Sequence, residues 1–393
     1  METEVVAKRI HECRIQTQKG LKLNNLNLTE IPDIASLWWV EELDLSSNRI
    51  TKVDRKMLPD NLKLVLLNHN KISNITADDL PLHVDMLNLQ GNEIKCFDGS
   101  KFQNLIKLNI SENVLTTFYF PPKLVKLDIS NNRLEEIDEF PDTLLKFNCE
   151  DNMLEDLENI NNNLLYINIS NNRFKELPNL PESVETIIAK DNNIENFWYL
   201  PENAVTIDLA NNRISDFYGF TFEFPSSLKT LNLNDNLLTE FTLELPEGLE
   251  TLLLKSNRLE TLPDIPKSVK VLDISDNCLN KILPELKSRN ISINYENNLM
   301  EDSDNEILDG DGYDLNFLFG NNKRQTSSKK KSSGDNILNY FKNAKEEPTS
   351  KTNTIYLGSS PNYNHDYFSY PFIKKSPPKK KYVNIYHKRR VIV

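Results

Sequence analysis

The sequence has little of what catalysis and cofactor binding draw on. Ten glycines among 393 residues leave small scope for the Gly-rich loops whose amides cradle phosphates. No P-loop, dinucleotide-binding turn, His-Glu-x-x-His or Cys-x-x-Cys occurs. The histidines (His11, His69, His83, His365, His387) are not spaced as metal ligands. The cysteines Cys13, Cys96, Cys149 and Cys278 are scattered and suggest no disulfide framework. A reduced, intracellular protein is therefore expected, cytoplasmic or nuclear. No apolar run approaches the roughly 18 residues of a membrane span. The opening METEVVAKRIHECRI lacks the apolar core of a signal peptide. These absences assign no catalytic residue, no cofactor and no metal site. They point to a non-enzymatic protein with no membrane association.

What is present is a repeated asparagine. It recurs at Asn48, Asn70, Asn92, Asn113, Asn132, Asn152, Asn172, Asn192, Asn212, Asn236, Asn257 and Asn277, in steps of 19 to 24 residues. Apolar residues sit at −8, −5, −3, +2 and +5 from each. For Asn132 these are Leu124, Leu127, Ile129, Leu134 and Ile137. A period and phrase of this kind mark a leucine-rich repeat solenoid. The x-x-Leu-x-Leu part reads as a short strand. Stacked copies then form a curved parallel sheet on the concave side. The asparagine, with two donors and an acceptor, is expected to bond its own turn and the adjacent repeat.

Proline sits 11 residues before the asparagine in nine copies: Pro59, Pro81, Pro121, Pro141, Pro181, Pro201, Pro225, Pro246 and Pro266. It fixes φ and lacks an N–H, so the convex side is expected to be extended or polyproline-like, with no room for helices. Residues 1–20 read as an N-terminal capping helix with Val5, Val6, Ile10 and Cys13 as its apolar face. Residues 21–300 read as the solenoid, of about 13–14 repeats. Its first copy has Leu26 in the asparagine position, and a degenerate last copy ends at Asn298–Met300. Asp216–Phe224 is an aromatic insertion.

Charge is uneven along the chain. Residues 1–300 carry 30 Lys/Arg and 47 Asp/Glu, residues 301–320 seven acidic residues and no basic one, and residues 321–393 16 Lys/Arg and four Asp/Glu. Residues 301–393 therefore read as an acidic collar and a basic, disordered tail. Its basic segment is Lys374, Lys375, Lys379, Lys380, Lys381, Lys388, Arg389 and Arg390, of a kind that contacts nucleic acid or directs nuclear import.

The stretch Leu177-Pro-Asn-Leu-Pro-Glu-Ser-Val184 resembles the short-repeat class of bacterial effector proteins. Similar repeats, with an Asn-, Ile- and Lys-rich composition, occur in amoebal and giant-virus proteins. The resemblance covers about residues 21–300 and implies the solenoid fold. Some such effectors add a C-terminal ubiquitin-ligase domain with a catalytic cysteine, whereas here no cysteine follows Cys278.

Counting −6, −4 and −2 from each asparagine locates the concave face. Two features depart from the repeat. Leu64, Leu66 and Met86 make an apolar spot, and Lys107, Lys126 and Lys146 stack into a basic stripe that ends on Tyr166. The expected function is a monomeric scaffold that binds an unknown protein partner on this face. The first alternative is a nucleus- or nucleic-acid-associated adaptor acting through the tail, and the second is an effector-like ubiquitin ligase.

Overall fold

One turn governs every repeat, and its asparagine side chain is the reason it closes. Asn132 Nδ2 donates to Ile129 O at 3.0 Å and Ser130 O at 3.1 Å within its own turn, and to Ile110 O of the preceding repeat at 3.1 Å. The Leu115 N–H of that preceding repeat donates to Asn132 Oδ1 at 2.9 Å. The same arrangement recurs from Asn48 to Asn298. The ladder expected from sequence therefore exists, and it reaches back toward the N-terminal neighbour.

The computed structural model describes residues 2–215, 223–282 and 284–300. Fourteen three-residue strands, from Gly20–Lys22 to Ser292–Asn294, pair in parallel and in chain order. Register steps by one whole repeat each time, as in Leu127↔Phe147 and Phe147↔Ile167. Strands so short follow from the turn that ends each of them. The −5 and −3 residues point inward and form a continuous core with the −8, +2 and +5 residues. Leu124, Leu134, Phe147, Ile167 and Phe174 are all fully buried there. A helix, Glu2–Gln16, covers the first repeat. Cys13 is buried against the core, and Val6 and Ile10 pack on it. Val5, expected on the same face, is instead 38% exposed.

The residue before the ladder asparagine is the part that sequence reading missed. From Asn25, Ser47, His69 and Gly91 through to Asp276 and Asn297, it has φ between 52° and 65° in all fourteen copies. That is the left-handed region, which Gly, Asn and Asp tolerate best. Ten of the fourteen occupants belong to that tolerant set, and Ser47, His69, Glu112 and Ser256 depart from it. Even the first repeat, with Leu26 in place of the asparagine, keeps the left-handed turn at Asn25. There Leu26 N and Leu28 N both donate to Asn48 Oδ1, each at 3.0 Å.

A second, interrupted ladder runs nine residues before many of the asparagines. Asn61, Asn104, Asn163 and Asn203 donate to Trp38 O, Leu82 O, Asp142 O and Glu182 O. Thr143, Ser183 and Ser268 do the same to Leu124 O, Leu164 O and Leu249 O.

The convex side is mostly irregular, but short helices do occur, contrary to the expectation of none. Three-residue 3₁₀ turns lie at Arg55–Met57, Ala77–Asp79 and Gly99–Lys101, and a five-residue helix at Pro284–Ser288. Each falls in a repeat of 21 or 22 residues. One or two residues beyond twenty suffice for a 3₁₀ turn, because it closes every three residues. A two-stranded parallel pair, Cys96–Asp98 with Thr117–Tyr119, also lies on the return path. The disordered tail expected at 301–393 lies outside the described residues, as does most of the aromatic insertion.

Two substitutions test this account. Asn172→Ala removes the bonds to Cys149 O, Ile169 O and Ser170 O and orphans Leu154 N. It should cost about 2–4 kcal/mol in urea unfolding. Glu112→Gly should stabilise by about 0.5–1 kcal/mol, because glycine relieves the positive φ. A lower urea midpoint for Glu112→Gly would contradict the left-handed turn.

Candidate functional site

The register brings the concave residues together as one row. Glu42, Leu64, Met86, Lys107, Lys126, Lys146 and Tyr166 pair directly, strand to strand. The apolar spot and the basic stripe are thus continuous. Lys146 is exposed, whereas Lys107, Lys126, Tyr166, Leu64 and Leu66 are half-buried. Met86 is only 7% exposed, so Leu64 and Leu66 present most of the apolar spot. Neighbouring strands are about 4.8 Å apart. Burial lowers the Lys107 pKa, with Asp85 pulling the other way. Burial also raises the Tyr166 hydroxyl well above its ordinary range, and Glu150 and Asp128 add to the shift.

The −4 row is not the solvated column of amides and acids that its composition suggests. Its side-chain oxygens close the strand ends instead. Asp128 Oδ1 accepts from Ser130 N at 3.0 Å and Ser130 Oγ at 2.7 Å. Asn109 with Ser111, and Asp273 with Ser275, repeat the motif. Neighbours also bond along the row, as Asn232 Nδ2 does to Asp208 Oδ1 at 2.9 Å. A side chain cannot offer a partner the lone pairs that it spends on its own backbone. Where it carries Asn or Asp the −4 row is therefore architecture, Leu66, Ile188 and Leu253 being the apolar exceptions, and the −6 row carries most of the available chemistry.

One more row borders it, at −7, where each chain enters its strand. The first residues of this row are charged and alternate in sign. Glu41 bridges Lys19 at 2.9 Å and Lys63 at 3.0 Å, and Asp85 follows. The last residues alternate again, Glu250 lying 3.8 Å from Lys229 and 2.5 Å from Lys270. Between them stand Ile106, Val125, Leu145 and Leu165, followed by Glu185 and Val205, all half-buried. Backbone bonds of 2.8–2.9 Å from Val125 N to Ile106 O, Leu145 N to Val125 O and Leu165 N to Leu145 O hold them in line. The first four flank Lys107, Lys126, Lys146 and Tyr166, one beside each. The signal at −7 is present in the sequence, but residue type alone does not show that these positions are half-buried. The basic segment Lys374–Arg390 lies outside the described residues.

Asp208 sits in the −4 row, 2% exposed. Burial pushes its pKa up to about 6, against hydrogen bonds from Ala210 N and Asn232 and the charge of Lys190. A carboxyl raised in the folded state binds its proton there before it does in the unfolded chain. Its contribution is therefore fully present below about pH 4 and lost as pH rises through about 6. Asp208→Asn keeps the Oδ1 acceptor, as Asn232 and Asn168 do in other repeats. Urea titrations at pH 4.5 and 7 should show Asp208→Asn gaining stability relative to the parent as pH rises. A difference independent of pH would refute the buried carboxyl.

A family model described as Leucine Rich Repeat matches residues 123–147. No curated protein matches the sequence significantly. Among solved structures, YopM from Yersinia enterocolitica is 27% identical over 76% of this chain and 68% of its own, with a TM-score of 0.61. A leucine-rich repeat protein of Leptospira interrogans is 21% identical over 74% of this chain and 81% of its own, with a TM-score of 0.60. An internalin of Listeria monocytogenes is 17% identical over 72% and 88%, with a TM-score of 0.56. The last two share the fold. Among the described residues no helix is long and apolar enough to cross a membrane. With its asparagine ladder, its fourteen-stranded parallel sheet and these neighbours, the chain is a leucine-rich repeat protein that resembles bacterial effectors.

Proposed function

We propose that the chain is a non-enzymatic scaffold that binds a protein partner on its concave face. The observation that carries this is the coincidence of two rows. Lys107, Lys126, Lys146 and Tyr166 at −6 lie beside Ile106, Val125, Leu145 and Leu165 at −7, in the same four repeats. Such a strip pairs charge, which steers and selects, with apolar and aromatic surface, which anchors. The partner it fits presents carboxylates beside an apolar edge. An intracellular, monomeric protein is the setting we assign to it.

The basic segment between Lys374 and Arg390 gives a second reading, an adaptor that contacts nucleic acid through its tail. Deleting residues 321–393 would then abolish salt-sensitive retention on DNA or RNA, and unchanged retention would end that reading.

For the principal reading, the joint Lys107→Glu, Lys126→Glu and Lys146→Glu variant is compared with the parent in affinity purification from host cytosol. Recovery of the specific partner should fall at least tenfold, while circular dichroism and the melting curve stay close to the parent's. Undiminished recovery by the folded variant would show that the strip is not the contact.

A further inference from the structure

The ladder asparagine turns inward, and the residues on either side of it, at −1 and +1, turn outward. From Asn131 onward these two positions follow a period of two repeats rather than one. Asn131-Asn-Arg133, Asn171-Asn-Arg173, Asn211-Asn-Arg213 and Ser256-Asn-Arg258 alternate with Asp151-Asn-Met153, Asp191-Asn-Asn193, Asp235-Asn-Leu237 and Asp276-Asn-Cys278. Arginine and aspartate thus take turns through eight successive repeats. The four arginines, Asp151 and Asp235 are exposed, and Asp191 and Asp276 are half-buried. The turn itself asks for none of this, since −1 needs only a left-handed residue and +1 only a backbone N–H.

Register makes the pattern a row along one flank of the solenoid. The +1 N–H of each repeat donates to the +2 carbonyl of the repeat before, as Arg173 N does to Leu154 O at 2.8 Å and Arg213 N to Ile194 O at 2.9 Å. The following repeat holds each aspartate in place. Asn171 Nδ2 donates to Asp151 Oδ1 at 3.0 Å and Asn297 Nδ2 to Asp276 Oδ1 at 2.8 Å, and Asn211 does the same for Asp191. At −7, alternating charges bridge within the chain, as Glu41 does to Lys19 and Lys63. Here they do not. Arg133, Arg173, Arg213 and Arg258 make no side-chain hydrogen bond or ion pair among the described residues.

Spacing selects the partner of such a row. Successive charges lie about 4.8 Å apart. A helix repeats every 5.4 Å or so, and by the eighth charge it has slipped about 4 Å, nearly a full step, which sets like charges against each other. An extended strand presents one face about every 6.6 Å and loses register sooner. A second copy of the row has the same spacing and never slips. Eight alternating charges read backwards are also eight charges of opposite sign. We propose that two copies of this chain pair flank to flank about a two-fold axis that passes between the repeats of Asn192 and Asn212. Arg133 of one copy then faces Asp276 of the other, Arg173 faces Asp235, Arg213 faces Asp191 and Arg258 faces Asp151, and the symmetry makes each pair twice. The axis lies along the radius of the curved sheet, so one arc is laid on the other and curvature introduces no misfit. The −1 and +1 rows are two residues apart, about 7 Å at most, which an arginine side chain covers. Lys255 lies 3.6 Å from Asp276 Oδ2, so the outermost pair is the weakest. The contact leaves the −6 row open and does not depend on the concave reading. Exposed ion pairs contribute little apiece. Dilute chains therefore stay single, as the scaffold reading has them, and pair as concentration rises.

Sedimentation velocity of the purified full chain over a hundredfold range of concentration tests this. A two-copy species should grow with concentration at low salt, and raising the ionic strength from about 0.01 M to about 0.15 M should weaken it roughly tenfold or more. The Arg173→Glu, Arg213→Glu variant should stay single with the circular dichroism and melting curve of the parent. The Asp191→Lys, Asp235→Lys variant should also stay single, and His69 and Glu112 show that −1 accommodates such side chains. An equal mixture of the two variants should pair again, because every reversed charge then meets its opposite. The Lys107→Glu, Lys126→Glu, Lys146→Glu variant should pair as the parent does. The flank contact is refuted if the parent stays single at low salt, if the folded arginine variant pairs undiminished, or if the mixture of folded variants stays single. Pairing lost in the lysine variant alone would move the contact to the concave face. Capture of a different protein through the arginines, by a chain that itself stays single, would overturn the second copy as the occupant.

Discussion

The fold depends on one amide making four hydrogen bonds. A chain that leaves a strand and enters a core carries peptide groups that water cannot reach, and each unpaired one costs roughly 1–3 kcal/mol. The ladder asparagine pairs them from both sides. Asn172 takes the carbonyls of Ile169 and Ser170 in its own turn and Cys149 in the repeat before, and it receives Leu154 N. Because the bonds bridge repeats, no turn is complete alone. The first repeat shows the consequence. Leu26 cannot supply the bonds, and Asn48 supplies them from the next turn. Stability therefore passes along the stack from neighbour to neighbour.

Fixing the turn fixes the register, and fixed register turns a column of sequence into a row on the surface. The rows then divide the work. At −1 the backbone needs a left-handed residue. At −9 a short polar side chain ties adjacent loops in seven copies. At −4 an Asn or Asp closes its own strand end, which is why Asp208 is buried with its pKa raised toward neutrality. The −6 and −7 rows, and the −2 row with Gln90, Glu150, Lys190 and Lys255, are left for composition to vary without disturbing the turn. Variation unlike the repeat gathers there.

How much of this the sequence discloses depends on how narrowly each position is restricted. The ladder position demands an amide of one length, so Asn48 to Asn277 are visible at once. The strands and the core follow from them. The −1 position accepts anything tolerable at positive φ, and Ser47, His69, Gly91 and Asp276 look unrelated until the dihedral is known. The −9 position accepts any short donor, so Asn61, Thr143 and Ser183 hide a single role. Of the site, the lysine stripe was legible because like charges in register are conspicuous. The −7 row was not, because half-burial of Ile106 or Leu145 cannot be told from full burial by residue type. Burial misleads in the other direction at Met86, an apolar surface residue by position that the sheet covers almost entirely.

Three lysines in register carry an energetic cost. Like charges about 5 Å apart repel by on the order of 1 kcal/mol per adjacent pair even in a water-like dielectric, and more where the side chains are half-buried. The solenoid avoids this elsewhere. Its −7 row alternates sign at both ends, as Lys19, Glu41 and Lys63 show, and Lys229, Glu250 and Lys270 again. Its −6 row beyond Tyr166 turns to threonines, which stack without charge. Alternation stops at Ile106, and the lysine row starts in that same repeat with Lys107. Two neighbouring columns thus abandon the cheaper pattern together. Stacking alone favours neither change, since Thr and Asn serve the strand at −6 and paired charges serve the edge at −7.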